Sequence, residues 1–341
     1  MATFIKKIHR DMTSVEPFIV RTNNGELLCI CTCGDIMEPA PGNRVYFWHS
    51  NDEGRTWSKK MLLGSEEGIA TYAVEVFCIK DRILCYIAEH SGYFTNWKCV
   101  VYESCDNGYN WKKLGDCPQV PDYTFIRSAI ILKNGNILLP YQHYPVTPEE
   151  NNRLFTEGKY GWSADIDHVE SGVLISKDGG LSFEKGGFVS TDIGGGRLPV
   201  RWQWTEPTIV ELSNATIVML LRYNGTGYLW KSESLDGGIT WSEPEQTCIP
   251  NPDNKPLLFR LDEKRIALLN TPTSNCGLDN RYPLSVWISD DDLQTWKYKK
   301  NVCDFDGAYS YPSAIMSNDK KRLLITVDFN RSDVYFFDFE I

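Results

Sequence analysis

Long apolar runs are missing from this chain. No stretch of its 341 residues approaches the roughly 18 consecutive apolar side chains of a membrane-spanning helix. Positive charge is in deficit: 35 Lys and Arg face 45 Asp and Glu, a formal net charge of −10. A nucleic-acid binder needs a basic face to displace counterions, so that class is set aside. No Cys-x-x-Cys pair occurs among the 11 cysteines, and their number is odd. This argues against a zinc ribbon and against a fully paired disulfide scaffold. Cys29, Cys31 and Cys33 alternate and would share one face of a strand, where buried reduced thiols are expected. Helical periodicity is absent too, so no helix longer than a turn and no linker are expected. The opening Met1–Arg10 has no apolar signal core. That places the protein in the cytoplasm as an expectation, or outside the cell if a leader was trimmed. Three Asn-x-Ser/Thr acceptors, at Asn214, Asn224 and Asn330, carry no meaning in the cytoplasm.

What is present is a repeat. Ser50-Asn-Asp-Glu-Gly-Arg-Thr-Trp57 returns as Ser104-Cys-Asp-Asn-Gly-Tyr-Asn-Trp111 and as Ser176-Lys-Asp-Gly-Gly-Leu-Ser-Phe183. It returns again as Ser234-Leu-Asp-Gly-Gly-Ile-Thr-Trp241 and, in degenerate form, as Ser289-Asp-Asp-Asp-Leu-Gln-Thr-Trp296. The aspartates stand at 52, 106, 178, 236 and 291, so the spacings are 54, 72, 58 and 55. Each box reads as a tight turn in which Asp accepts backbone amides and Gly supplies a positive φ. A structural hairpin clip is the expected role, and Asp290-Asp-Asp292 is expected to be a solvated turn rather than a calcium site.

Around the boxes the chain alternates like strands. Six units begin near 15, 74, 126, 205, 254 and 310. Each of the first five supplies four strands, and the last supplies three. Six such modules predict an all-β fold, a six-bladed β-propeller with Asp-box repeats. The whole of 1–341 is expected to form a single propeller domain, with an insertion in blade three around 144–170. Phe4–Ile8 is expected to supply the missing strand of the last blade, which removes an open sheet edge.

Aligning the modules brings out a second pattern. At the start of each innermost strand stand Glu16-Pro17, Glu75-Val76, Arg127-Ser128, Glu206-Pro207, Lys255-Pro256 and Tyr311-Pro312. All are polar or ionisable where core packing asks for neither. Antiparallel neighbours put the ends of the second strands at the same level: Glu89-His90, Gln142-His143, Arg222-Tyr223 and Asp328, joined by Arg281. Equivalent positions should ring one mouth of the central channel, with the boxes on the opposite face. Mixed Glu, Arg, Lys and Tyr in a cleft is a candidate site. Trp202, Trp204, Tyr72, Tyr160 and Trp162 fall at this level or in the insertion and could stack on a sugar ring, plain packing being the alternative.

These boxes resemble the Asp boxes, or BNR repeats, of the sialidase superfamily. The segments Thr205-Glu-Pro-Thr-Ile-Val-Glu-Leu212, Arg281-Tyr-Pro-Leu-Ser-Val-Trp-Ile-Ser289 and Tyr309-Ser-Tyr-Pro-Ser-Ala-Ile315 are similar to its BNR group, and the resemblance spans essentially the whole chain. It implies a retaining glycoside hydrolase acting on the terminal sugar of an oligosaccharide: sialic acid, or another neutral or uronic sugar. It further implies Tyr311 as nucleophile, with Tyr309 as the other candidate, and Glu206 as its base. Arg222 and Arg281 would clamp the substrate. Arg127, Lys255, Glu16, Glu75, His90 and His143 complete the substrate-binding set.

The chemistry is coherent, because a carboxylate can take the proton of an otherwise weak phenol nucleophile. Forked guanidinium groups suit carboxylates. The sequence departs from the family at two places. Ser14-Val-Glu-Pro17 has Val15 where the family carries its first clamp Arg, and Arg44 stands where the family's acid is expected. Asp35, Glu38, Glu75, Glu89 and His90 are the candidates for that acid. No cofactor or metal is required. Two other readings stay open: a lyase of uronic-acid glycans with His90 or His143 as base, and a non-catalytic propeller that binds glycans.

Overall fold

The computed structural model describes residues 1–64, 66–192, 198–200 and 202–341. Strand β1 (Phe4–Arg10) is followed by six small sheets. The first holds β2 (Ser14–Arg21), β3 (Leu27–Cys33), β4 (Arg44–Ser50) and β5 (Met61–Leu62). The second holds β6 (Ala70–Ile79), β7 (Arg82–His90), β8 (Lys98–Ser104) and β9 (Lys112–Asp116). In the third, the inner strand is interrupted, β10 (Thr124–Ile126) and β11 (Ile130–Ile131), before β12 (Ile137–His143), β13 (His168–Ser176) and β14 (Glu184–Asp192). The fourth comprises β15 (Thr208–Glu211), β16 (Ile217–Arg222), β17 (Tyr228–Ser234) and β18 (Glu245–Pro250). The fifth comprises β19 (Leu257–Arg260), β20 (Ile266–Asn270), β21 (Leu284–Ser289) and β22 (Tyr298–Cys303). The sixth has β23 (Tyr309–Met316), β24 (Arg322–Phe329) and β25 (Asp333–Glu340), with β1 as its outer strand. The fold is a six-bladed β-propeller, as the repeat spacing predicts.

The opening strand does complete the last blade. Phe4 lies opposite Asp338 and Ile5 opposite Phe337 in an antiparallel ladder. Every box falls between the third and fourth strands of its blade. In blade four the box begins at Ser234, which pairs with Ile217, whereas Arg222 at the other end of β16 pairs with Leu229. Box and candidate residue therefore sit at opposite ends of the same sheet.

Each box is a closed hydrogen-bond unit. In the first, Ser50 Oγ donates to Asp52, and Thr56 donates to it through both its amide (2.8 Å) and its hydroxyl (2.6 Å). Trp57 Nε1 donates to the Gly54 carbonyl. The pattern repeats around Asp106, Asp178, Asp236 and Asp291. Gly54 shows why glycine is needed: its φ is +83°, and a Cβ there would sit 2.3 Å from the Phe336 ring of the sixth blade. Gly108, in the second box, bears in the same way on Leu28 of the first blade. The boxes clip one blade to the one before it.

One expectation fails. The insertion contains α1 (Pro148–Thr156), nine residues long. Its start signals are local: Thr147 caps the amide of Glu150, Pro148 opens the first turn, and Glu149 and Glu150 face the helix dipole. The helix is too short to show a clear period, which is why strand alternation on either side obscures it.

The chain divides into two compact units. The middle unit comprises Ile126–Pro145 and Ile166–Tyr309, and the outer unit comprises Ala2–Phe125, Val146–Asp165 and Ser310–Ile341. In the middle unit, Leu138, Val173, Ile175, Ile209, Ile217 and Met219 pack blades three and four together. In the outer unit, Phe18, Leu28, Ile30, Ala73, Val76 and Cys85 pack blades one and two. Cys29, Cys31 and Cys33 lie wholly buried on one face of β3, against Trp48 and Val334.

Candidate active site

Equivalent blade positions share an unusual backbone. Glu16 (φ 53°), Glu206 (φ 38°) and Tyr311 (φ 54°) are all left-handed, and each precedes a proline. A non-glycine residue held in that region costs roughly 1–3 kcal/mol, and such outliers concentrate at functional sites. At Glu16 the ladder between β2 and β3 slips between Val15 and Phe18, which marks a bulge. The same side-chain device holds two of these backbones. Glu206 N–H donates to Gln142 Oε1 at 2.6 Å, and Glu16 N–H donates to Asp328 Oδ2 at 3.2 Å. In both cases the acceptor ends the second strand of the preceding blade.

In the middle unit, three guanidinium groups act on one carboxylate. Glu206 is 1% exposed, and its Oε2 accepts from Arg222 Nη1 at 2.8 Å. Burial pushes the Glu206 carboxyl up, but Arg222, Arg127 and Arg281 together outweigh it and hold the group below the usual carboxylate range. Each arginine is itself fixed. Arg222 Nε donates to Asn224 Oδ1 at 2.9 Å. Arg281 follows a short 3-10 turn, Leu278–Asn280, and its Nη2 donates to the Asp253 carbonyl. Arg127 is 2% exposed, its amide donating to the Pro140 carbonyl. Buried guanidinium groups gathered near a carboxylate make a positively charged setting of the kind that binds anions.

Lys255 also lies buried in this unit, on a segment held by Asn254, whose amide donates to the carbonyl of Tyr309 and to Thr271 Oγ1. His143 ends β12 opposite Glu170. Trp202 stacks on Tyr144 with ring centres 4.3 Å apart, and Trp204 meets both edge-on. Tyr309 is fully buried, and its hydroxyl donates to the Phe305 carbonyl at 2.7 Å.

The outer unit holds the remaining candidates. Tyr311, on β23, is 9% exposed. Glu75 is buried on β6, one of its oxygens accepting the Val76 amide. Glu89 pairs with Lys113 at 2.8 Å and accepts from Tyr102, so its charge is already compensated. Asp35 uses its two oxygens to accept the amides of Ile36 and Gly42, which shapes the loop between β3 and β4. Glu38, on the same loop, is ion-paired with Arg331. Arg44 donates to the carbonyls of Pro41 and Asn43.

His90 is 3% exposed, and burial pushes its imidazole down to about 3. Its Nδ1 accepts from the amides of Gly92 and Phe94, so Nε2 carries the proton. A ring held in that tautomer is a donor, which runs against a role as base. Tyr72 packs among Phe94 and Phe125, and Tyr160 stacks on Trp162 at 4.3 Å.

Sequence reasoning passed over Arg331. It was noticed only within the Asn330-Arg331-Ser332 acceptor, yet it and Asn330 occupy left-handed backbone at the β24–β25 turn, and its guanidinium feels Glu16 as well as Glu38. The alignment used strand ends, so a residue in the turn beyond them left no signal.

A six-bladed propeller closed by its own first strand, clipped by five Asp boxes and carrying a buried Glu among arginines defines a sialidase-like protein of the BNR superfamily. The chain belongs to the family of BNR repeat-like domains, which matches residues 80–324. No curated protein matches it in sequence. Among solved structures it is similar to a Hadza microbial sialidase, with 17% identity and a TM-score of 0.74, over 97% of this chain and 66% of that one. It is similar to a Dyadobacter fermentans protein of unknown function, with 18% identity and a TM-score of 0.75, over 100% and 99%. It is also similar to Trypanosoma rangeli sialidase, with 14% identity and a TM-score of 0.71, over 96% and 55%. The chain thus spans about two thirds of the first sialidase and about half of the second, and at these identities the likeness is one of fold.

Proposed function

We propose that this protein is a retaining glycoside hydrolase that removes a terminal acidic sugar from an oligosaccharide. The observation that carries the reading is buried Glu206 paired with Arg222 at 2.8 Å, with Arg127 and Arg281 helping to hold its carboxyl ionised. Arg127 provides a third guanidinium where Val15 withholds the family's first, so the cluster suits a substrate carboxylate. Trypanosoma rangeli sialidase, one of the structural neighbours, has been solved in complex with sialic acid.

In this reading the arginines bind the sugar carboxylate, and the Tyr311 oxygen attacks the anomeric carbon. Glu206 takes the phenol proton as the bond to the leaving oxygen breaks, and a carboxylic acid protonates that oxygen. Water then attacks the anomeric carbon and gives its proton to the deprotonated acid, while Glu206 returns its proton to the departing Tyr311 oxygen. A neutral phenol suits the task, because an anionic nucleophile would be repelled by an acidic sugar. The test is turnover of sialyl-lactose and of uronic-acid glycosides by the purified protein, by Tyr311→Phe and by Glu206→Gln. Release of the free sugar that falls at least about 100-fold in both variants is expected. Near-normal turnover in both variants, or binding with no product from the parent protein, overturns the proposal.

A further inference from the structure

Gln142, beside Glu206, has half of its side-chain hydrogen-bonding capacity unused among the described residues. It lies near the end of β12 and is fully buried. Its Oε1 accepts the Glu206 amide at 2.6 Å, with Thr205 Oγ1 at the edge of range, 3.5 Å away. A backbone N–H can only donate, so this bond fixes which end of the amide is oxygen and which is nitrogen. Nε2 is then left buried with no acceptor among the described residues. A buried donor without a partner is costly, and its natural remedy is an oxygen supplied from outside. Three nearby oxygens already accept other donors. Glu206 Oε2 is taken by Arg222, the Thr205 carbonyl by the Arg222 amide, and Thr205 Oγ1 by Ser171.

We infer that Gln142 is a substrate-contacting specificity residue: its Nε2 donates to a hydroxyl or carboxylate oxygen of the acidic sugar, while its Oε1 holds Glu206 in its left-handed backbone. This rests on the hydrolase reading above. It assigns one side chain two separable duties, one to the backbone and one to the ligand.

Two variants separate them. Gln142→Glu keeps an acceptor for the Glu206 amide and loses the donor. Gln142→Met loses both. The experiment measures KM and kcat on sialyl-lactose, or on whichever acidic glycoside of the panel the parent protein cleaves best, with urea unfolding of each variant alongside. A KM raised about 10- to 100-fold in Gln142→Glu, with kcat changed less and the unfolding midpoint near that of the parent, is expected. Gln142→Met should show the same rise in KM together with a fall in kcat, because Glu206 is released. A Gln142→Glu variant with parental KM beside a damaged Gln142→Met makes Gln142 a backbone prop and overturns the inference while sparing the hydrolase. A parent protein that cleaves none of the panel overturns both. Should Gln142→Met not fold, the KM of Gln142→Glu decides alone.

Discussion

The Glu206–Arg222 pair makes a quantitative prediction about stability. Both side chains are buried, with 1% and 5% of their surfaces exposed and 2.8 Å between the paired atoms. Removing one partner of such a pair costs about 3–5 kcal/mol, because the other charge is left in a poor solvent. Arg127 and Arg281 still face Glu206, so Arg222→Met is expected near the low end, about 3 kcal/mol at pH 7. The pH dependence carries the sign. In the parent protein the Glu206 carboxyl lies below its ordinary value, so its stabilisation is present above the unfolded value of 4.5 and lost as pH falls through the folded one. In Arg222→Met burial meets less opposition, and the carboxyl should rise above the unfolded value. Acid then neutralises a charge the variant cannot accommodate. The gap between the two proteins should therefore narrow from pH 7 to pH 4. Urea unfolding at the two pH values measures it, with Arg222→Lys, which keeps charge without the fork, falling between. A gap below about 1 kcal/mol at pH 7, or one that stays constant or widens toward pH 4, refutes the reasoning.

Other outcomes follow from single contacts. Gly54→Ala should destabilise by about 2–4 kcal/mol, from positive φ plus collision with Phe336, whereas Gly25→Ala, at φ +89° with open space around it, should cost only about 1–2; equal urea midpoints would contradict the clip. His90 stays neutral to about pH 3 while an unfolded chain takes its proton near 6.5, so it should remove about 1.4 kcal/mol of stability per pH unit across that window. His90→Asn should flatten the acid side of the stability curve by that amount, and parallel curves would argue against a buried neutral ring. Tyr309→Phe should lose about 1–2 kcal/mol of stability with turnover retained, because the Phe305 carbonyl loses its donor. Tyr311→Phe should do the reverse, and an active Tyr311→Phe beside an inactive Tyr309→Phe would exchange their roles.

The fold was largely legible because the box is a local object. Ser, Asp, Thr and Trp are tied by hydrogen bonds within eight residues and the glycine is set by its positive φ, so five copies survive as a readable pattern. Strand alternation supplied the blades, and the three-stranded last module predicted the pairing of Phe4 with the chain's end. The helix Pro148–Thr156 was not seen, although Thr147, Pro148 and two glutamates announce it, because the capping signals were outweighed by the search for a period. At the site, alignment picked out Arg127, Glu206, Arg222 and Arg281 as positions. It could not show that all three arginines act on the same carboxylate, since that depends on side-chain reach between blades. Alignment marks Arg127 only as a substrate-binding candidate, whereas the structure makes it one of three guanidiniums that hold Glu206 ionised. The left-handed backbones of Glu16, Glu206 and Tyr311 left only the following proline as a trace, and proline alone does not announce a positive φ.

Covalent trapping is the most direct measurement of the central claim. The protein would be incubated with 2,3-difluorosialic acid, the compound seen as a covalent intermediate in Trypanosoma rangeli sialidase, and its peptides mapped by mass. A single sugar adduct on the peptide carrying Tyr311, absent from Tyr311→Phe and suppressed in the triple variant of Arg127, Arg222 and Arg281, is the expected result. An adduct on another residue, or sialyl-lactose cleaved at full rate by a protein that never forms one, would contradict it.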